Sequence, residues 1–315
     1  MIVCLGTTPT LARTMEFDRV DIDGVNRATR VVEYAAGKAV NAARAAATLG
    51  VAGVACISPI GGLTGDRFAA AARQDPIEHD FVRVGAATRL CVTVVDRLGQ
   101  TSTELIEESA GLSEGNSADL VAAFERRIVA ASSCVLSGSI APGIPADLYE
   151  RCTRYAHAAG ARVIVDASGE PLRRAIVSRP DVVKINAREL ASIEDVDVDV
   201  DDDRSVIDGA RSLARRAGAW VIVTRGRRST IAAHADGSLL EASVAEVKVV
   251  SAIGSGDSSA GALAVALARR QSMADALRLA SAAASANAMT ALAAHFDVAV
   301  VDRLTKTIQV RDISG

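Results

Sequence analysis

Short β-branched runs alternate with longer alanine-rich segments of helical period through most of the chain. That alternation narrows the fold to an α/β class, a mainly parallel sheet covered by helices. Cys134 to Leu136 precedes a predicted helix from Ala146 to Ala159, and Arg162 to Asp166 precedes a short one from Glu170. Asp181 to Ile185 leads into a helical stretch from Ala187 to Ile193, and Trp220 to Thr224 is a further buried strand. The opening run Met1 to Gly6 is apolar without a basic leader, so it is predicted to be a first buried strand rather than a signal peptide.

Two stretches break the rhythm. Arg89 to Asp96 and Thr101 to Glu107 alternate polar and apolar side chains on either side of the turn Leu98-Gly99-Gln100, which predicts a hairpin. Met15 to Val32 has the same extended texture. Together they predict a small side sheet standing off the main body, with the proportions of a lid. No repeat or low-complexity linker marks a second unit, so one domain is expected over 1–315, with lid segments near 12–35 and 88–108.

Composition excludes several classes. Half the residues are apolar and 23% are charged, as in globular proteins, and 315 residues allow a well-buried core. A formal charge of −3 with scattered arginines offers no footprint for a nucleic-acid backbone, so no nucleic-acid partner is expected. No apolar run is long enough to cross a bilayer, and no membrane partner is expected. The five cysteines, at 4, 56, 91, 134 and 152, are odd in number and widely spaced, which implies reduced thiols and a cytoplasmic setting. The histidines at 79, 157, 234 and 295 lack zinc spacing. The acidic stretch Glu194 to Asp203 lacks the glycine of a calcium loop and is expected to be a solvated connector.

The chemistry concentrates late in the chain. After the extended run Val247 to Val250 comes Ser251-Ala252-Ile253-Gly254-Ser255-Gly256-Asp257-Ser258-Ser259, then a strongly helical stretch from Ala260 to Arg270. A glycine-rich turn feeding a helix start gathers unpaired N–H groups and the positive end of the helix dipole, and glycines let a phosphate approach the backbone. Asp257 at that place can take the proton of a hydroxyl attacking the γ-phosphorus, or it can simply cap the helix. Other nucleotide motifs do not fit. Gly37-Lys38 has Val32 five positions upstream and Ala39 after it, which is no P-loop. Gly254-Ser255-Gly256 has Ser259 where a dinucleotide fingerprint needs its third glycine.

Ile253-Gly254-Ser255-Gly256-Asp257-Ser258 resembles the late signature of the ribokinase-like, or PfkB, carbohydrate kinases. Ala36-Gly37-Lys38-Ala39-Val40-Asn41-Ala42-Ala43 is similar to their N-terminal pattern of a Gly-Gly turn followed by Asn. Three further blocks, Ser137 to Gly143, Val165 to Glu170 and Val183 to Glu189, bring the likeness nearer the branch of 1-phosphofructokinase, tagatose-6-phosphate kinase and the minor 6-phosphofructokinase.

The resemblance implies a ribokinase-like three-layer sandwich with a β-sheet lid, transferring the γ-phosphate of ATP to a hydroxyl of a sugar or sugar phosphate with Mg2+. It makes Asp257 the catalytic base and Gly254, Ser255 and Gly256 the anion hole. Lys184, Asn186, Glu189, Thr224 and Gly226 would bind nucleotide, Glu189 also reaching the metal through water. Gly37, Lys38, Asn41 and Arg89 would bind the acceptor, Arg89 at its phosphate. Some members add a monovalent cation near the anion hole, and the lid often doubles as a homodimer interface, for which Leu90, Val92, Val94 and Leu105 are suited, as they equally are for packing onto the chain's own core.

Five positions depart from that pattern. Ala12 stands where the family has a sugar-gripping Asp near the end of the first strand, and Ala36 replaces the first Gly of the Gly-Gly turn. Cys91 and Thr93 stand for the Asn and Lys of phosphohexose relatives, and Ile106 for another Asn. Intact phosphoryl-transfer residues beside altered acceptor residues imply an acceptor other than a standard fructose phosphate. The alternative is a catalytically impaired, kinase-like sensor of a sugar or nucleotide.

Overall fold

A large sheet organises the molecule, and its strand order decides where a ligand can enter. A computed structural model describes residues 1–193 and 198–314. From one edge the sheet runs Glu78–Arg83, Val54–Ile60, Ile2–Leu5, Ser133–Ser137, Arg162–Asp166, Val182–Asn186 and Trp220–Arg225, all parallel. It then turns antiparallel through Arg228–His234, Leu239–Ala242 and Val310–Asp312.

Alternation along each parallel strand feeds two cores. Ile2, Cys4, Val135, Ile164, Val182 and Ile222 face one layer, packed under the helices Lys38–Thr48, Gly62–Ala72, Ser255–Ala268, Met273–Ala288 and Val298–Thr305. Val3, Leu5, Cys134, Leu136, Val163, Val165, Val183 and Ile185 face the other, under Glu114–Ile128, Leu148–Ala158, Gly169–Ala175 and Asp203–Ala217. Burial on both faces explains why these strands read as near-continuous apolar runs. Each fully buried Val, Leu or Ile contributes about 1.5–3 kcal/mol. All five cysteines are free and buried.

Alanine sets how closely the helices approach. Helices Lys38–Thr48 and Ser255–Ala268 cross at Gly261, where an added Cβ would lie 2.3 Å from the Ala42 carbonyl oxygen and 2.9 Å from the Ala45 Cβ. Larger side chains there would push the two helix N-termini apart, and both N-termini carry candidate site residues.

The side sheet has the order Arg30–Ala36, Thr10–Phe17, Arg89–Asp96, Thr101–Ile106. The hairpin forms where alternation predicts it. Of the Met15 to Val32 stretch only the two ends are strand; 18–29 is a connecting loop with turns. Val247 to Val250, expected to be extended, forms no strand. The late helix starts at Ser255, not Ala260, because Gly254 takes a left-handed conformation and opens it. Residues 194–197 of the acidic connector lie outside the described residues. Within the remainder, Asp202 accepts from the Arg204 and Ser205 amides and caps Asp203–Ala217. Among the described residues no helix is long and apolar enough to cross a membrane.

Candidate active site

Ile2–Leu5 feeds Val54–Ile60 on one side, whereas Ser133–Ser137 lies on its other side, so the winding direction reverses between these two strands. Ligands of doubly wound sheets bind at the carboxyl ends flanking such a reversal. The loops there are fastened to each other. Thr7 Oγ1 donates to the Ser139 carbonyl at 3.1 Å and accepts from the Ala141 amide at 2.8 Å, and Tyr149 donates to the Ser137 carbonyl at 2.9 Å. Gly6 has no room for a side chain: its Cβ would meet the Ser137 carbonyl oxygen at 2.9 Å.

Helix Ser255–Ala268 points its N-terminus at this place. Its first internal bond runs from the Ser258 amide to the Gly254 carbonyl at 2.8 Å, so the Gly256 and Asp257 amides have no acceptor within the helix. Ser255 is differently used. Its amide bonds to the Ala252 carbonyl, and its hydroxyl is held between the Ala284 carbonyl and Asn287 Nδ2. The open donors of the turn are therefore those of Gly256 and Asp257. Asp257 is not the helix cap, since Gly254 holds that position and no side chain caps the helix.

Asp257 is 8% exposed and its Oδ2 accepts from Asn41 Nδ2 at 2.8 Å. Burial pushes its carboxyl above the ordinary range, opposed by Lys38, Asn41 and Lys184 and reinforced by Asp166. Close by, Asp166 ends its strand between two lysines, 3.3 Å from Lys184 Nζ and 3.6 Å from Lys38 Nζ. Burial alone would raise the Asp166 carboxyl; Lys184 and Lys38 outweigh it and hold the group below the usual range. The Asp166 carboxylate, against opposing burial, holds the Lys38 ammonium above its ordinary value, with Asp257 and Glu189 adding to the effect.

Lys184 is 3% exposed, and a Cβ built on Gly256 would sit 3.4 Å from its Nζ. The buried ammonium thus lies beside Gly256 at the start of the helix. Asn186 and Glu189 form a reciprocal capping box: the Glu189 amide donates to Asn186 Oδ1 at 2.9 Å and the Asn186 amide to Glu189 Oε2 at 2.8 Å. Glu189 Oε1 remains toward the site, 3.7 Å from Lys38 Nζ. Thr224 pairs in register with Asn186 on the neighbouring strand, and Gly226 follows in the turn.

Among the described residues no three His, Cys, Asp or Glu side chains group as metal ligands. Mg2+ is held by one or two carboxylates plus substrate phosphates, and Glu189 has an oxygen that could serve such an ion.

Opposite stands the lid. Arg89 Nε donates to Thr10 Oγ1 at 2.8 Å, and its other nitrogens to the Thr8 and Glu107 carbonyls. Among the described residues its partners include no carboxylate, so its charge is unpaired. Ala12 is not at the end of the first strand but within the first lid strand, opposite Tyr34 and Cys91. It is 4% exposed in a small apolar cluster with Tyr34, Ala36 and Ala293. Gly37, at φ 115°, abuts Pro9 and Thr8.

Three polar residues of this centre were not singled out from sequence: Asp166 as a site residue, Arg44 and Asn287. Asp166 had a legible signal, a carboxylate closing an apolar strand. Asn287 had none; it is fully buried and ties the Ile253 carbonyl and Ser255 to the Ala294 amide.

A buried carboxylate beside open helix amides and two lysines can accept a proton from a hydroxyl and stabilise charge on a transferred anionic group. The model of the pfkB family of carbohydrate kinases matches residues 1–296, and the chain belongs to that family. It is thus a carbohydrate kinase, with the α/β body and separate small sheet of its structural neighbours. Phosphofructokinase-2 from Escherichia coli, in a complex with potassium, is 24% identical, with 97% of this chain and 98% of that one covered and a TM-score of 0.87. The same enzyme in complex with fructose-6-phosphate is 25% identical over the same shares, with a TM-score of 0.84. A protein from Thermotoga maritima described as a possible 1-phosphofructokinase is 19% identical, 99% of each chain being covered, with a TM-score of 0.84.

Proposed function

We propose that this kinase moves the γ-phosphate of ATP to a hydroxyl of a sugar or sugar phosphate other than a standard fructose phosphate, with Asp257 as base. The observation that carries the reading is the Asp257 carboxylate, buried at a helix N-terminus beside the open amides of Gly256 and its own residue, and held by Asn41. Asp257 takes the acceptor's proton as the oxygen attacks. The amides and Lys184 stabilise charge on the transferred group, while Lys38 lies between Asp166 and Glu189, where it can reach phosphate oxygens. Mg2+, held through water by Glu189 together with the nucleotide, would supply further charge neutralisation. Asn186, Thr224 and Gly226 line the nucleotide side.

The acceptor side supports a changed substrate. Ala12 in its apolar cluster offers no carboxylate to a sugar hydroxyl, and Cys91 faces Ile106 across the hairpin. Arg89 keeps an unpaired charge for an anionic group on the acceptor. A panel of sugars, sugar phosphates, polyols and nucleosides, followed by ADP release, is expected to find its best acceptor outside the fructose phosphates. Preferred turnover of a fructose phosphate sinks that part, and no turnover with any acceptor favours the sensor.

We also propose a homodimer through the lid. Leu90 is spoken for, packing against the body, but Val31 and Leu105 are 44% and 59% exposed on a sheet that a second copy would cover. Sedimentation of the parent chain should give a dimer that Leu105→Arg converts to monomer; a parent that sediments as a monomer refutes the arrangement.

A further inference from the structure

Helix Lys38–Thr48 presents alanine and valine to the core, yet one arginine lies among them. The Arg44 side chain is 3% exposed. A guanidinium so deep is tolerable only if its charge is paired and its five N–H groups are met. They are. Nε and Nη2 grip Asp75 in a two-pronged pair at 2.8 and 2.7 Å, and Nη2 also donates to the Ala35 carbonyl at 2.5 Å. Nη1 donates to the Ala293 carbonyl at 3.3 Å and to Asn41 Oδ1 at 3.1 Å.

The last of these bonds has a directional consequence. A side-chain amide accepts at one end and donates at the other. With Oδ1 turned to the guanidinium, Asn41 must present Nδ2 to Asp257, as it does at 2.8 Å. The flipped amide would set NH2 against guanidinium and oxygen against carboxylate, two repulsions in a dry place. Asp257 Oδ2 is thereby held, and Oδ1 is left for the acceptor's proton.

We propose that Arg44 is a positioning residue for Asp257, acting through the amide of Asn41; this rests on the reading of Asp257 as the base. Lysine cannot substitute, because a single ammonium cannot grip Asp75 with two prongs and reach the Ala35 and Ala293 carbonyls and Asn41 as well. The anchor lies at some remove from the reaction. Asp75 follows helix Gly62–Ala72, and Ala293 belongs to the segment packed on Gly254.

The test reads the carboxylate directly and needs no acceptor. Asp257 is faced by Lys38 and Asn41 from one helix and by Asp166 and Lys184 from two strands, and Glu189 faces Lys38 in turn. In protein carrying 13C at the aspartate carboxyls, the Asp257 resonance is assigned by its loss in Asp257→Asn and titrated against pH. The variant is Arg44→Met combined with Asp75→Leu, which leaves no unpaired buried charge and removes one charge of each sign. Losing a bond donated to the ionised form raises a carboxyl pKa. The midpoint is therefore expected to rise by roughly one pH unit, and by as much in Asn41→Leu, with no further rise when the changes are combined. Arg44→Lys should fall between.

A merely structural arginine would lower the melting temperature and leave the titration of Asp257 where it was. An unmoved midpoint in the paired variant, or rises that add with Asn41→Leu, overturns the proposal. The base reading is tested apart from this, by turnover of Asp257→Asn. If that variant still transfers phosphate the base reading falls, while the link through Asn41 stands or falls on the titration.

Discussion

Asp257→Asn is expected to lower ATP-dependent turnover by about 10²–10⁴-fold while leaving nucleotide affinity nearly unchanged. The size follows from what is removed. Asn keeps the shape and the contact with Asn41, but it cannot take a proton from the attacking hydroxyl. Turnover of the best acceptor and nucleotide titration by calorimetry make the comparison. In the parent, turnover should fall as pH drops through the Asp257 value, since only the ionised carboxylate is a base; burial sets that limb above the range of an ordinary aspartate. A variant retaining a tenth of the parent rate, or losing nucleotide binding together with turnover, would remove Asp257 from the role of base.

The second large effect belongs to Gly254→Ala. Gly254 sits at φ 82°, and its Cβ would stand 2.6 Å from the Ala293 Cβ and 2.9 Å from the Ala293 Cα. A left-handed alanine costs about 1–2 kcal/mol, and forcing backbone apart adds about 1–3 kcal/mol. The cost falls on the turn that aims the Gly256 and Asp257 amides, so turnover should drop by about 10²-fold or more, as when an oxyanion donor is lost. Gly50→Ala is the control. Gly50 shares the left-handed conformation at φ 80° with nothing within 4 Å of an added Cβ, so it should lose about 1 kcal/mol and no turnover. Thermal unfolding and kinetics on both variants decide it; equal kinetic losses at Gly50 and Gly254 would show that backbone strain alone, not the aim of the amides, is responsible.

Parallel strands and covering helices are legible in the sequence because a strand buried on both faces must be apolar along its middle, as Val163 to Val165 are within Arg162–Asp166. The lid hairpin is legible for the opposite reason: one side is wet, so polar and apolar residues alternate. Boundaries are less so. The helix expected from Ala260 begins at Ser255, since the start is decided by the left-handed turn at Gly254, packed against Ala293 nearly forty positions away.

Residue types and spacing by themselves determined the α/β class, the separate lid and the reading of Gly254 to Asp257 as an anion site with a carboxylate, because each rests on local periodicity or a contiguous turn. Tertiary structure alone decided which amides are open, since Ser255 is consumed by Ala252, Ala284 and Asn287. It alone brought Asp166 between Lys38 and Lys184, residues more than a hundred positions apart along the chain. Asn41 illustrates the division most plainly. As a motif residue it reads as a ligand for sugar hydroxyls; folded, its amide lies between Arg44 and Asp257, 216 positions along the chain. Hydrogen bonds of that reach are set by how two alanine-faced helices cross, and no local pattern encodes that crossing.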